Sequence, residues 1–77
     1  MLELYGTAAC PYTAQIREEL QWRRREFVEY DVDQDAAALA RLLMISGGDR
    51  LVPVLVENGT VVQKGYEGRG CYARTAG

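Results

Sequence analysis

The chain has 77 residues, enough for one domain with one modest core, and a domain of that size buries only about 60% of its unfolded surface. Its apolar share of 48% and charged share of 26% are those of a folded protein, and a net charge of −2 argues against a general nucleic-acid or anionic-membrane role. No run approaches the roughly 18 apolar residues that span a bilayer, and Met1-Leu2-Glu3-Leu4-Tyr5 lacks the basic head and long apolar stretch of a signal peptide, so a cytoplasmic protein is expected.

Met1 to Tyr5 reads as a first, central strand, and the small residues Gly6 to Ala9 as a turn. Cys10-Pro11 opens a helical stretch in which Ile16 and Leu20, four apart, share one stripe that Trp22 widens. Arg23, Arg24 and Arg25 fall in its last turn, where positive charge complements the helix dipole, and otherwise form a solvated face. Phe27 to Val32 alternates with a period of two, Val28, Tyr30 and Val32 against Glu29 and Asp31, which predicts a strand. Asp33 and Asp35 are candidate N-caps for a second helix over Ala36 to Ile45, with Leu39, Leu42 and Leu43 on one face and Gly47-Gly48 at its end. Val52 to Val56 is an apolar strand interrupted by Pro53, Asn58-Gly59 is a two-residue hairpin signal, and Thr60 to Gln63 is the returning strand. The tail from Gly65 to Gly77 is glycine-rich and holds at most a turn or two of helix.

The order β-α-β-α-β-β predicts an α/β domain covering residues 1–77, built on a four-stranded mixed sheet. The helix between the first two strands makes them parallel, and the hairpin makes the last two antiparallel.

The chain has two cysteines, Cys10 and Cys71, and no histidine, so a tetrahedral zinc site is not expected. A lone structural disulfide is one reading of the pair, disfavoured in a reducing cytosol. Pro11 suits the first helical position, where its missing N–H costs nothing, and this makes Cys10 the cap residue. A sulfur there faces the positive end of the helix dipole, a setting that favours the nucleophilic thiolate, and the Thr13 hydroxyl lies in reach to donate to it. The alternative is a cysteine that merely packs, although Pro11 and the small residues before it favour an exposed turn. Pro53 within an apolar strand marks either an edge position or a cis bond after Val52, which would leave the Val52 backbone free to pair with an extended thiol peptide.

These residues resemble a known family. Cys10-Pro11-Tyr12-Thr13 after a first strand is similar to the glutaredoxin motif C-P-Y-C with its second cysteine replaced, Val52-Pro53 to the T-V-P element, and Gly65-Tyr66-Glu67 to the G-G-Y-D-D element. Nearly the whole chain follows the family order, and it is similar in particular to a bacterial glutaredoxin-like group that includes members with selenocysteine at the nucleophile position. The resemblance implies a thioredoxin fold with its C-terminal helix truncated to a stub. It also implies a glutathione-linked thiol–disulfide oxidoreductase of monothiol type, a monomer acting on glutathionylated or disulfide-containing proteins. Cys10 would attack the disulfide; Tyr12 would line the groove; Val52 would hold the cysteinyl backbone of glutathione; Tyr66 and Glu67 would sit near its amino end. The departures are Thr7 where the family has a lysine, Lys64 in place of the first glycine and Gly68 in place of the second acid. Cys71, in the stub, is either a resolving thiol that closes onto Cys10 or a bystander. Two other functions fit the resemblance: an electron donor served by thioredoxin reductase, and a module holding a [2Fe–2S] cluster with glutathione.

Overall fold

The computed structural model describes residues 1–73; residues 74–77 of the predicted tail lie outside the described residues. In chain order the elements are β1 (Leu2–Gly6), α1 (Pro11–Trp22), β2 (Val28–Asp31), α2 (Ala36–Ser46), β3 (Leu51–Val52), β4 (Val54–Glu57), β5 (Thr60–Lys64) and β6 (Cys71–Tyr72). The main sheet runs β2-β1-β4-β5, with β1 parallel to β2 and antiparallel to β4, and β4 antiparallel to β5. This is the predicted four-stranded mixed sheet.

Strand alternation divides the core between two faces. Leu2, Leu4 and Leu55 point to the side covered by Ile16 and Leu20 of α1. Tyr5, Val54 and Val56 point to the other side, against Ala38, Leu39 and Leu42 of α2. Strand β1 is covered on both faces, which explains its nearly unbroken burial and its central place. Arg17 Nε and Nη2 each donate to a Glu29 carboxylate oxygen at 2.7 Å, tying α1 to β2.

The helices end by different devices. Asp35 caps α2, its Oδ1 accepting from the Ala38 N–H at 3.1 Å, while the Gly48 N–H closes the far end onto the Leu43 carbonyl. Helix α1 stops at Trp22, where Arg24 turns left-handed with φ 56° and Arg25 N donates to the Leu20 carbonyl, a glycine-type stop made without glycine. The arginines therefore lie beyond the last turn instead of in it; Arg23 pairs with Glu19 and Arg25 with Glu57. Trp22, expected to widen the buried stripe, is 87% exposed.

Asn58 and Gly59 both take positive φ, 50° and 83°, and form the β4–β5 hairpin. The predicted strand across Pro53 is split by a cis Val52–Pro53 bond into β3 and β4, which belong to different sheets. The tail also differs from expectation. No stub of helix is present among the described residues; a second tight turn, with Glu67 at φ 52° and Gly68 at φ 79°, sends the chain back so that β6 lies against β3. A two-residue strand carries no alternation to read, which is why hydrophobic patterning missed it.

Candidate active site

The site forms where the end of β1, the start of α1 and the β3–β6 pair meet. The Cys10 N–H donates to the Thr7 carbonyl at 3.2 Å, a turn that lifts the chain from β1 into the helix. Cys10 has extended backbone angles and is the N-cap of α1, with Pro11 following at the first helical position. Its sulfur accepts no capping hydrogen bond; it is bonded instead to the sulfur of Cys71, with the two Cα atoms 6.0 Å apart. The site thus holds two sulfurs, where the C-P-Y-T motif read alone supplies one.

Cys10 was expected in an exposed turn and is only 2% exposed. Around it Ala8, Ala9 and Pro11 are exposed, and Cys71, bonded to it, is half-buried.

Thr13 does not reach the sulfur as expected. It is fully buried and turned toward β1, where its Oγ1 accepts from the Thr7 N–H at 3.4 Å. Gly6 makes that orientation possible, because a Cβ there would stand 2.5 Å from Thr13 Oγ1. Thr7, at the family's lysine position, is buried in this turn. Tyr12 is half-buried beside Cys10 in the sequence.

Opposite α1, Val52 is fully buried and paired with Cys71, and Leu51 with Tyr72, in antiparallel register. The Pro53 carbonyl accepts from Gly65 N at 2.7 Å, which anchors the start of the returning segment. In the Gly65-Tyr66-Glu67 element, Tyr66 packs against the α1-side core and exchanges backbone hydrogen bonds with Arg69, while Glu67 stands exposed in the turn. Burial and the neighbouring Glu19 and Glu67 carboxylates push the Tyr66 phenol above its ordinary pKa. At the far end of the segment, Ala73 is buried and its N–H donates to the Arg50 carbonyl at 2.8 Å.

The structure thus gathers Cys10, Pro11, Val52, Pro53, Gly65 and Cys71, and uses Tyr66 and Glu67 to turn the chain that carries Cys71. Sequence reasoning missed Gly6 and Gly70, both sites of close approach. A Cβ on Gly70 would meet the Val52 carbonyl oxygen at 2.5 Å and the Leu51 side chain at 2.9 Å. The available signal was the spacing of Gly65, Gly68 and Gly70 immediately before Cys71, a pattern suited to a tight return.

A family model described as Glutaredoxin matches residues 2–62. Two solved structures, the thioredoxin-like protein BC3987 and its T8A mutant, are each similar at 34% identity, with TM-scores of 0.73 and 0.72. Each match covers 80% of this chain, and 84% and 82% of the respective partner chains. No curated protein matches.

Proposed function

The chain belongs to the glutaredoxin family, and from that premise we propose that it is a thiol–disulfide oxidoreductase in which Cys10 is the nucleophile and Cys71 the resolving thiol. The observation that carries the reading is the Cys10–Cys71 bond at the N-terminus of α1. In the reduced protein, charge on Cys10 lies at the positive end of a 12-residue helix, beside the Tyr12 and Thr13 N–H groups. The Cys10 thiolate attacks a disulfide R–S–S–R′; a Cys10–S–S–R bond forms, the R–S–S–R′ bond breaks, and R′S⁻ leaves to take a proton from water. The Cys71 thiolate then attacks the Cys10 sulfur, closes the internal disulfide and releases RS⁻. Two electrons pass to the substrate, and a thiol reductant, glutathione or a dithiol reductase, returns them to the protein. Glutathionylated and disulfide-containing proteins are the substrates this chemistry suits.

The test is mass spectrometry of the reduced protein after exposure to oxidised glutathione. The wild type is expected to lose two hydrogens and retain no glutathione, whereas Cys71→Ser retains one, on Cys10. Full turnover by Cys10→Ser, or a Cys71→Ser variant that takes up no glutathione at Cys10, would refute the assignment.

A further inference from the structure

Resting on the proposed role of Cys10, we propose that β6 is a built-in copy of the substrate, and that the groove selects cysteinyl thiols whose cysteine follows an unbranched carbon, as in a Gly-Cys polypeptide. Gly70-Cys71-Tyr72 makes both contacts open to an external partner: a sulfur–sulfur bond to Cys10 and antiparallel backbone pairing to Val52. A substrate bonded to Cys10 in this register takes the place of Cys71, and its preceding residue takes the place of Gly70. There the wall is close and rigid. A Cβ would lie 2.5 Å from a backbone oxygen, that of Val52, which cannot swing aside as a flexible side chain can. The flanking positions are unread, because Tyr72 is 72% exposed and Arg69 is also exposed. Selectivity therefore concentrates on the cysteine and the carbon before it.

Two sources share that chemistry. A glycine in a polypeptide presents a CH₂ before the Cys amide, and so does the γ-glutamyl linkage of glutathione. An α-linked alanine or valine does not. The chemical step is the one written above: the Cys10 thiolate bonds the partner's cysteine sulfur and expels its leaving thiolate, and β6 then returns, with Cys71 displacing the partner.

The experiment uses reduced wild-type protein and capped Gly-Cys-Tyr, Ala-Cys-Tyr and Val-Cys-Tyr peptides, each carrying thionitrobenzoate in a mixed disulfide, together with the same adduct of glutathione. Release of the coloured thiolate is followed, and free cysteine adduct gives the intrinsic reactivity. The glycine peptide is expected to react about tenfold or more faster than the alanine peptide, the cost of one overpacked methyl, with valine slower still. A fast glutathione adduct beside a fast glycine peptide shows that both sources are accepted. A fast glutathione adduct with all three peptides equally slow overturns the polypeptide assignment, and equal rates for all overturn the selection itself. Release by Cys10→Ser as fast as by wild type would instead remove the underlying nucleophile assignment. Gly70→Ala gives a second readout: in the wild type Cys71 expels the glycine peptide from Cys10, and in the variant that expulsion is expected to slow by about the same factor, since its β6 no longer fits.

Discussion

Gly6→Ala is the sharpest test of how the site is positioned. The new methyl would lie 2.5 Å from Thr13 Oγ1, 2.9 Å from Thr13 Cβ and closer still to Cγ2. Thr13 is fully buried and cannot rotate into solvent, so the first turn of α1 must move off β1, and Cys10 with it. Overpacking of this kind costs about 1–3 kcal/mol. At the midpoint, 2 kcal/mol in a domain of this size is roughly 10 °C in melting temperature. Thr13→Ala alone should cost about 2 kcal/mol, from a lost methyl and a Thr7 N–H left without its acceptor. The double variant removes the two closest atoms of the clash, so it should be less damaged than the sum of the singles by about 1 kcal/mol or more. Urea unfolding of all four proteins, with the disulfide intact and followed by far-ultraviolet circular dichroism, completes the cycle. Additivity within about 0.5 kcal/mol, or a neutral Gly6→Ala, would show that Gly6 does not set the seating of the helix.

The Cys10–Cys71 bond spans a sequence separation of 61, and chain entropy for a loop of that size gives it about 4 kcal/mol of stability; oxidised and reduced protein unfolding within about 1 kcal/mol of each other in urea would contradict that constraint. Burial raises the Tyr5 phenol pKa above its usual value, so its stabilising contribution is complete below about pH 10 and is lost as pH rises through the folded value; Tyr5→Phe is expected to flatten the alkaline decline in stability, and an unchanged slope would disprove the contribution. Trp22→Ala should change unfolding free energy by less than about 0.5 kcal/mol, as for an exposed residue; a loss of about 3–5 kcal/mol is what the buried-stripe expectation demands.

What was legible in the sequence was local. The apolar segment Met1 to Tyr5, the stripe of Ile16 and Leu20, the Asp35 cap and the Asn58-Gly59 turn each express a conformational preference within a few residues, and the structure follows all of them. What was not legible depends on meetings across the chain. Trp22 was read into the stripe by its apolar character, but it still lies within α1, where 3.6 residues per turn put it about 200° round from Leu20, on the exposed face. Thr13 looked free to serve the sulfur because nothing near it in sequence reveals that Gly6 opens a niche for it on β1. The tail looked like a vestigial helix because its glycines were read as absence of structure, when Gly65, Gly68 and Gly70 lie at its anchor, its turn and its point of closest approach.

The burial of Cys10 is the step that joins fold to chemistry. A nucleophile shut inside a hydrophobic core would be raised in pKa and inert. Cys10 is buried, but Ala9 and Pro11 on either side of it are exposed, and the sulfur it is bonded to belongs to the half-buried Cys71. Besides the sulfur bond, the segment carrying Cys71 is held by the Gly65 N–H on Pro53, the Tyr66–Arg69 turn, two residue pairs with β3, the Ala73 N–H on Arg50 and the packing of Tyr66, Cys71 and Ala73 against the core. Reduction would remove the one covalent hold among these. On the proposed mechanism the bond that occupies Cys10 also seats Cys71 beside Val52, so breaking it frees both the nucleophile and the backbone with which a substrate strand would pair.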